Sequence, residues 1–438
     1  MSKKELTISD YVVKINVIQK EIDLNMPSSN YFASSSGTGF FVNNHYILTC
    51  YHVVKNNFQI EISLNTDSNL KFPAEVIAIF PKDDLAIIAS TDESFNKRFE
   101  SFKLPFREID ETIISNETIE VTAYGFPMSA KNLIITRGTI SGFEESMIQT
   151  STPLNPGNSG GPLIYNKRVI GINAKKNIST DVDNVAYAIP IKKYLLYKNN
   201  FNGKKVYFKP TFNLKYQPIE RGQYKFFNIS KFKEINSGIR VSKLNKDSIF
   251  YKKGLRKNDI LLKWNGKEID NFGNIKIDDF PIKVNLEDIN LWTREGTKIK
   301  IEYFCENKKE FKIIEFNWNH QPPVPDSYII NGKENLKFAY NISDLTISII
   351  TNEHCSNLDK LNLNMNDKFD LINKIVNHET FFVIYLVSQI PNTDEIYLPI
   401  GEIIKKINGK SIKKIEDLQN IEKIESIEFR SNYKFYLN

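Results

Sequence analysis

The sequence predicts a mainly β protein. Three observations carry that reading. Apolar runs in the first 200 residues are short and rich in β-branched and aromatic side chains, sustained helical periodicity is nearly absent, and an apolar run closed by Asn-Gly occurs twice later in the chain. In order, YVVKINVI (11–18), GFFV (39–42), YILTCY (46–51), FQIEISL (58–64), AEVIAIF (74–80), LAIIAS (85–90), TIEVTAYG (118–125) and RVIGINA (168–174) read as strands broken by Asn, Gly, Ser or Pro. PIKKYLLYKN (190–199) is the exception, a closing helix begun at Pro190. Residues 1–200 therefore have the pattern of a β sandwich or barrel.

At 438 residues the chain exceeds one ordinary core. Apolar residues make up 41% and charged residues 25%, which is globular composition rather than disorder or coiled coil. No apolar run reaches the roughly 18 residues of a membrane helix, and MSKKELTISD has no apolar core of a secretory signal, so an intracellular, cytoplasmic setting is the expectation. Cys50, Cys305 and Cys355 are odd in number and far apart, which excludes a disulfide framework and a CxxC metal site. Residues 1–200 hold 20 basic and 21 acidic residues, leaving 38 and 31 for the remainder, a net +7 there. That excess is spread out, without the basic and aromatic clustering of a nucleic-acid groove, so no nucleic-acid partner is expected.

Asp259–Ile269 recurs as Glu402–Ile412, each copy an apolar strand, Asn-Gly, and a strand-like return. Each is preceded by an extended segment, GIRVSKL and FFVIYLVSQ, which points to duplication. HQPPVPD (320–326) reads as a stiff linker between the copies, and the polar stretch near 200–209 as another boundary. Three units follow: 1–200, 201–320 and 321–438.

Three remote stretches carry chemistry. His52 follows YILTCY, Asp83-Asp84 precedes LAIIA, and Ser159 lies within Gly-Asn-Ser-Gly-Gly-Pro. Acyl transfer by a serine needs a base, a carboxylate that orients the base, and backbone donors aimed at the oxyanion. The glycines let the chain turn sharply and expose a hydroxyl, and they can aim the N–H groups of Gly157 and Ser159 at one point. His52 and Asp84 alone are weak signals and Gly-Asn-Ser-Gly-Gly-Pro alone is fairly specific; the three together, in the order His, Asp, Ser, make a candidate triad.

Ser36-Gly37-Thr38-Gly39-Phe40, Thr49-Cys50-Tyr51-His52-Val53-Val54, Asp84-Leu85-Ala86 and Gly157-Asn158-Ser159-Gly160-Gly161-Pro162 together resemble the HtrA/Deg branch of chymotrypsin-like serine proteases. The resemblance implies a chymotrypsin-like double six-stranded β-barrel with the triad in the cleft between the barrels, and proteolysis without a cofactor or metal. It implies His52 as general base, Asp84 as its orienter and Ser159 as nucleophile, with Gly157, Asn158 and Ser159 at the oxyanion hole. Asp83 competes with Asp84, but the family's acid directly precedes Leu-Ala. Cys50-Tyr51 departs from the small residues usual before the histidine. Asn158 replaces the aspartate with which digestive relatives bind a new α-amino group, so activation by N-terminal cleavage is not expected. Pro153 and Leu154, with Gly171, Ile172, Asn173 and Ala174, are the expected substrate-pocket residues. None is charged, which predicts an apolar or small P1 side chain.

Ser237-Gly238-Ile239-Arg240-Val241 with Gly254-Leu255-Arg256-Lys257-Asn258-Asp259-Ile260-Leu261 looks like a PDZ domain, an α+β module that captures peptide C-termini, with Gly238 and Ile239 at its carboxylate loop. The second copy, around Phe381-Phe382-Val383-Ile384, looks like a divergent PDZ. The full order is similar to plant Deg (Do-like) proteases with two such domains. The family resemblance further implies unfolded or misfolded polypeptide substrates and a homotrimer or a multiple of trimers, with Tyr31 and Phe32 as interface candidates. The rival expectation is a non-hydrolytic holdase or scaffold.

Overall fold

The computed structural model describes residues 6–25, 30–43, 45–65, 67–109, 118–144, 146–174, 185–198, 205–219, 237–278, 280–320, 326–336, 339–342, 345–361, 365, 368–369, 371–372, 385–389, 403–412, 415–429 and 432–436. Period-two burial builds its first half. β1 (Val12–Ile22) buries Val13, Ile15 and Val17 and leaves Lys14 and Asn16 half exposed. β2 (Asn30–Asn43), β3 (Tyr46–Cys50), β4 (Asn57–Leu64), β5 (Asp67–Phe80) and β6 (Leu85–Ser90) close with it into a barrel of order β1-β2-β3-β6-β5-β4. β7 (Glu120–Gly125), β8 (Ile134–Glu144), β9 (Met147–Thr150), β10 (Pro162–Tyr165), β11 (Arg168–Ala174) and β12 (Ala186–Pro190) close a second, β10-β11-β12-β9-β8-β7. The double six-stranded barrel is as expected, and closure leaves neither sheet an open edge.

An aromatic cluster packs against the first barrel. Phe41 stacks on Phe99 at 5.1 Å and meets Phe95 and Phe102 at 6.1 and 5.7 Å between ring centroids. Phe95 and Phe99 come from the helix Glu93–Phe99, whose N-terminus is capped by Asp92 Oδ1 accepting from the Phe95 N–H at 3.0 Å. The connector then ties the barrels together: the Leu104 N–H donates to Phe41 O at 3.1 Å and the Arg107 N–H to Val169 O at 2.9 Å. The closing helix is shorter than expected, Ile191–Leu195 instead of 190–199. Pro190, which ends β12, is its N-cap.

The chain divides into two compact units, residues 1–19 with 34–320, and 20–33 with 321–438. The expected segments 1–200 and 201–320 thus share a unit, apart from the excursion at 20–33. In that first unit, strands Leu214–Pro218, Ile239–Leu244, Ile260–Trp264, Thr297–Cys305 and Glu310–Trp318 pair in sequence order around Phe212, Phe250, Trp264 and Trp318. This module packs on the second barrel: Trp292 Nε1–H donates to Ser146 Oγ at 3.0 Å, and Phe280 meets Phe143 edge-on at 5.7 Å.

In the second unit, Ala339–Ile342, Leu345–Ile349, Tyr385–Gln389, Ile403–Ile407, Ser426–Phe429 and Lys434–Tyr436 form one sheet, against whose core Ile22 and Leu24 pack. The repeat is real down to side chains. Asn265-Gly266 and Asn408-Gly409 both take positive φ, the two-residue hairpin geometry. Asn265 Oδ1 accepts from the Lys300 N–H at 2.8 Å, and Asn408 Oδ1 from the Ser426 N–H at 3.0 Å. Most of the proline linker (321–325) and Phe381–Ile384 lie outside the described residues.

Phe41→Ala removes the hub of the aromatic cluster. It is expected to lower stability by about 3–5 kcal/mol, read from denaturant midpoints of the purified variant beside wild type.

Candidate active site

β3 delivers the chain to His52 and β6 begins just after Asp84, and the two strands pair with Cys50 opposite Leu85. That register brings base and acid side by side. The turn Pro81–Asp83 ends at Asp84 in the left-handed conformation, φ 52° and ψ 39°. The Asp84 carboxylate then takes the His52 backbone N–H on Oδ1 at 2.9 Å and lies 2.7 Å from His52 Nδ1 on Oδ2. A carboxylate can only accept, so the imidazole carries its proton on Nδ1 and leaves Nε2 with the lone pair. Burial alone would lower the His52 pKa, but the hydrogen bond and charge of Asp84 outweigh it and hold it above the ordinary imidazole value.

Ser159 is supported across the cleft by both barrels. The Thr38 N–H donates to Ser159 O at 2.9 Å, Thr38 Oγ1–H to Gly157 O at 2.7 Å, and Thr49 Oγ1–H to Thr38 O at 2.7 Å. From the other side, Gly160 N–H donates to Asn173 O and Asn173 N–H to Gly161 O, each at 2.8 Å. Gly160 has φ +86°, and a Cβ there would lie 2.1 Å from Thr38 O, so only glycine closes this turn. Asn158 N–H is committed to Asn155 O at 3.0 Å. Among the described residues no acceptor takes the Gly157 or Ser159 N–H. Those two are the donors left to meet an incoming anion. Thr38 and Thr49 carry much of this framework, yet the sequence marks them only as members of motifs.

Asp83 is placed elsewhere. It is buried against Lys209 Nζ at 2.8 Å, while Asp84 faces the histidine. Pro153 is exposed, Leu154 half-buried, and Gly171, Ile172, Asn173 and Ala174 are buried in β11. Asn173 supports the nucleophile turn from beneath through its backbone. Gly238 and Ile239 do not sit at a free edge. Ile239 pairs with Pro218 on one side and Leu261 on the other, which leaves no room to add a peptide strand there. Among the described residues, Leu214–Pro218 and Glu310–Trp318 each pair on one side only and are the two open edges of this sheet.

Cys50, His52 and Asp84 have potential metal-ligand atoms within 4.8 Å of one another. They do not suit a metal. Cys50 Sγ–H donates to Asn173 O at 3.3 Å, and burial with the charge of Asp84 pushes the thiol well above its ordinary pKa, against the thiolate that metals need. Oδ2 and Nδ1 are already engaged with each other.

Residues 37–172 match the model of the trypsin-like peptidase domain. The chain is 32% identical over 264 residues to Protease Do-like 4, mitochondrial, of Arabidopsis thaliana, covering 57% of this chain and 48% of that one. It is 25% identical over 431 residues to a probable periplasmic serine endoprotease DegP-like of Rickettsia prowazekii (strain Madrid E), covering 94% and 75%. The chain is thus similar to proteases of the HtrA/Deg type. It spans about half the length of Protease Do-like 4. The HtrA-type protease AlgW, solved with a tripeptide, shares the fold at a TM-score of 0.53 and 20% identity, over 72% of this chain and 95% of that one. The HtrA/Deg frame matches the two barrels described above. Among the described residues no helix is long and apolar enough to cross a membrane.

The buried thiol of Cys50 makes a direct prediction. In native protein at pH 8, Cys50 stays unmodified by iodoacetamide, and peptide mass mapping finds it alkylated only after denaturant is added.

Proposed function

We propose that the chain is an ATP-independent serine endopeptidase that cleaves unfolded or misfolded polypeptides through an acyl-enzyme. The observations that carry the proposal are the two-point Asp84–His52 clamp and a glycine-flanked serine, tied to the same barrel through Thr38, whose neighbouring N–H groups are unengaged. His52 Nε2 takes the Ser159 hydroxyl proton as Oγ bonds to the scissile carbonyl carbon. The carbonyl oxygen gains the negative charge and is met by the Gly157 and Ser159 N–H groups. Imidazolium then gives its proton to the leaving amine as the C–N bond breaks. Water repeats the sequence on the ester and frees Ser159. Asp84 stays ionised throughout, holding the Nδ1 tautomer and stabilising the imidazolium.

The family relationship supports polypeptide substrates. The absence of charge at Pro153, Leu154 and Gly171–Ala174 supports a small or apolar P1 side chain. Capture of peptide C-termini by the first PDZ-like module fits an open edge of its sheet, such as Leu214–Pro218, rather than Gly238-Ile239. Tyr31 and Phe32, 62% and 55% exposed, support assembly into trimers. Light scattering of the purified chain tests that assembly.

Wild type is expected to degrade casein without ATP, to accept a fluorophosphonate probe, and to cleave a valine reporter faster than an arginine one. Ser159→Ala is expected to lose these by about 10⁶-fold. Casein clearance retained in Ser159→Ala overturns the mechanism, and the reverse reporter preference overturns the pocket assignment.

The pH profile has a fixed sign. The base must be neutral to accept a proton, so kcat/KM rises with pH. Because Asp84 raises the His52 pKa, the inflection lies above the ordinary value of about 6.5. In Asp84→Asn the inflection falls and kcat drops about 10⁴-fold, measured with the same reporter across pH 5–9.

A further inference from the structure

Beneath Asp84 the fold encloses charges that the proposed chemistry does not use. Asp83 Oδ2 lies 2.8 Å from Lys209 Nζ, and the two side chains are 0% and 2% exposed. Tyr197 Oη–H donates to the same oxygen at 3.1 Å, and the Lys209 ammonium lies 4.9 Å from the centre of the Tyr197 ring. Lys193 is buried beside them, its ammonium 5.6 Å from the Trp292 ring centre. Asp288, Arg294, Glu295 and Asp84 complete the ionic surroundings of this group.

Lys209 arrives on the segment that joins the second barrel to the first PDZ-like module. That segment runs parallel to the end of β5. Ile79 N–H donates to Lys205 O at 2.8 Å, Tyr207 N–H to Ile79 O at 2.9 Å, and Tyr207 stacks on Phe80 at 5.0 Å. Beyond the lysine, His320 Nδ1–H donates to Lys209 O and Trp318 Nε1–H to Thr211 O, each at 3.0 Å. The segment is therefore held at both ends, with the buried Lys209 ammonium under the residue that precedes Asp84.

Stability does not account for this pair. Sealing two charges from water costs several kcal/mol each, and well-packed apolar residues often serve as well or better. Geometry does account for it. Asp84 stands at φ 52°, a left-handed conformation uncommon among non-glycine residues, and its surroundings must hold it there. The backbone bonds of Asp84 are its N–H to Pro81 O at 3.3 Å and its carbonyl accepting from the Tyr51 N–H at 2.9 Å. On the adjacent residue, the Lys209 charge supplies strength and the Tyr197 hydrogen bond supplies direction to a restraint on the turn.

We propose that the Asp83–Lys209 ion pair, buttressed by Tyr197, is a positioning device for Asp84: it pins the Pro81–Asp83 turn from below so that the Asp84 carboxylate stays in two-point contact with His52. The device makes the orienting acid depend on the docking of the segment that leads to the PDZ-like module. It rests on the protease reading for its purpose, but its geometry can be tested without hydrolysis.

The test is the full-length Asp83→Asn/Lys209→Met variant, made in wild type and in Ser159→Ala. The double change removes one charge of each sign, leaving Lys193, Asp288, Arg294 and Glu295 in place. In the Ser159→Ala background, the His52 imidazole titration followed by NMR is expected to fall toward the ordinary value of about 6.5. In the active background, kcat is expected to fall about 10- to 100-fold with KM changed less than about twofold. Lys209→Arg, which keeps the charge, is expected to retain the parent titration. A folded double variant with the parent titration and kcat overturns the proposal and leaves the pair as packing only. If the double variant does not fold, Tyr197→Phe decides: the proposal expects a smaller shift of His52 in the same direction, and an unchanged titration overturns it. Loss of the protease reading would appear instead as no hydrolysis by wild type with the His52 shift intact.

Discussion

The Asp84 carboxylate takes a backbone N–H of His52 on one oxygen and faces its imidazole Nδ1 with the other. One acid thereby fixes where the histidine stands and which nitrogen is free. This can happen only if Asp84 adopts a left-handed backbone at the end of a tight turn and if β3 and β6 pair in one register. A slip of one residue would turn Leu85 toward the histidine and send the acid into the barrel. The barrel core, which buries every side chain of β6 from Leu85 to Ser90, makes that slip prohibitive.

The serine side of the cleft obeys a related constraint. Its turn is too tight for any side chain at Gly160 and carries polar backbone that needs partners. Thr38 supplies three contacts from the first barrel, one from its backbone N–H to Ser159 O and two through Oγ1, which donates to Gly157 O and accepts the Phe126 N–H at 3.0 Å. Asn173 supplies others from the second. A threonine suits the task because one hydroxyl can donate and accept at once within a dry site. The cleft is thus a product of both barrels, and neither alone could hold the geometry. The buried Cys50 thiol belongs to the same seam, spending its weak donor on the Asn173 carbonyl.

Much of the architecture was legible beforehand. Strands such as β6 and β11 stand out because they are nearly all apolar and β-branched, and the two Asn-Gly hairpins because few other pairs tolerate positive φ twice. β8 escaped notice because it has two glycines and no fully buried residue to set a pattern. β9, β10 and β12 are only four or five residues long and have no alternation to read. Gly238 and Ile239 were expected at a carboxylate loop, but a motif cannot say which strands flank it. Here both neighbours are already paired.

The sequence by itself determined the mainly β class, the duplicated hairpin and the three residues of the candidate triad, because each is a local pattern of residue types imposed by backbone geometry or by chemistry. It also offered Asp83 and Asp84 as near equals on their own residues. Tertiary structure alone decided their different fates, one facing His52 and the other enclosed with Lys209, 126 residues away in the chain. Burial and ion pairing are properties of what folds around a side chain, and no local pattern encodes which distant lysine will arrive.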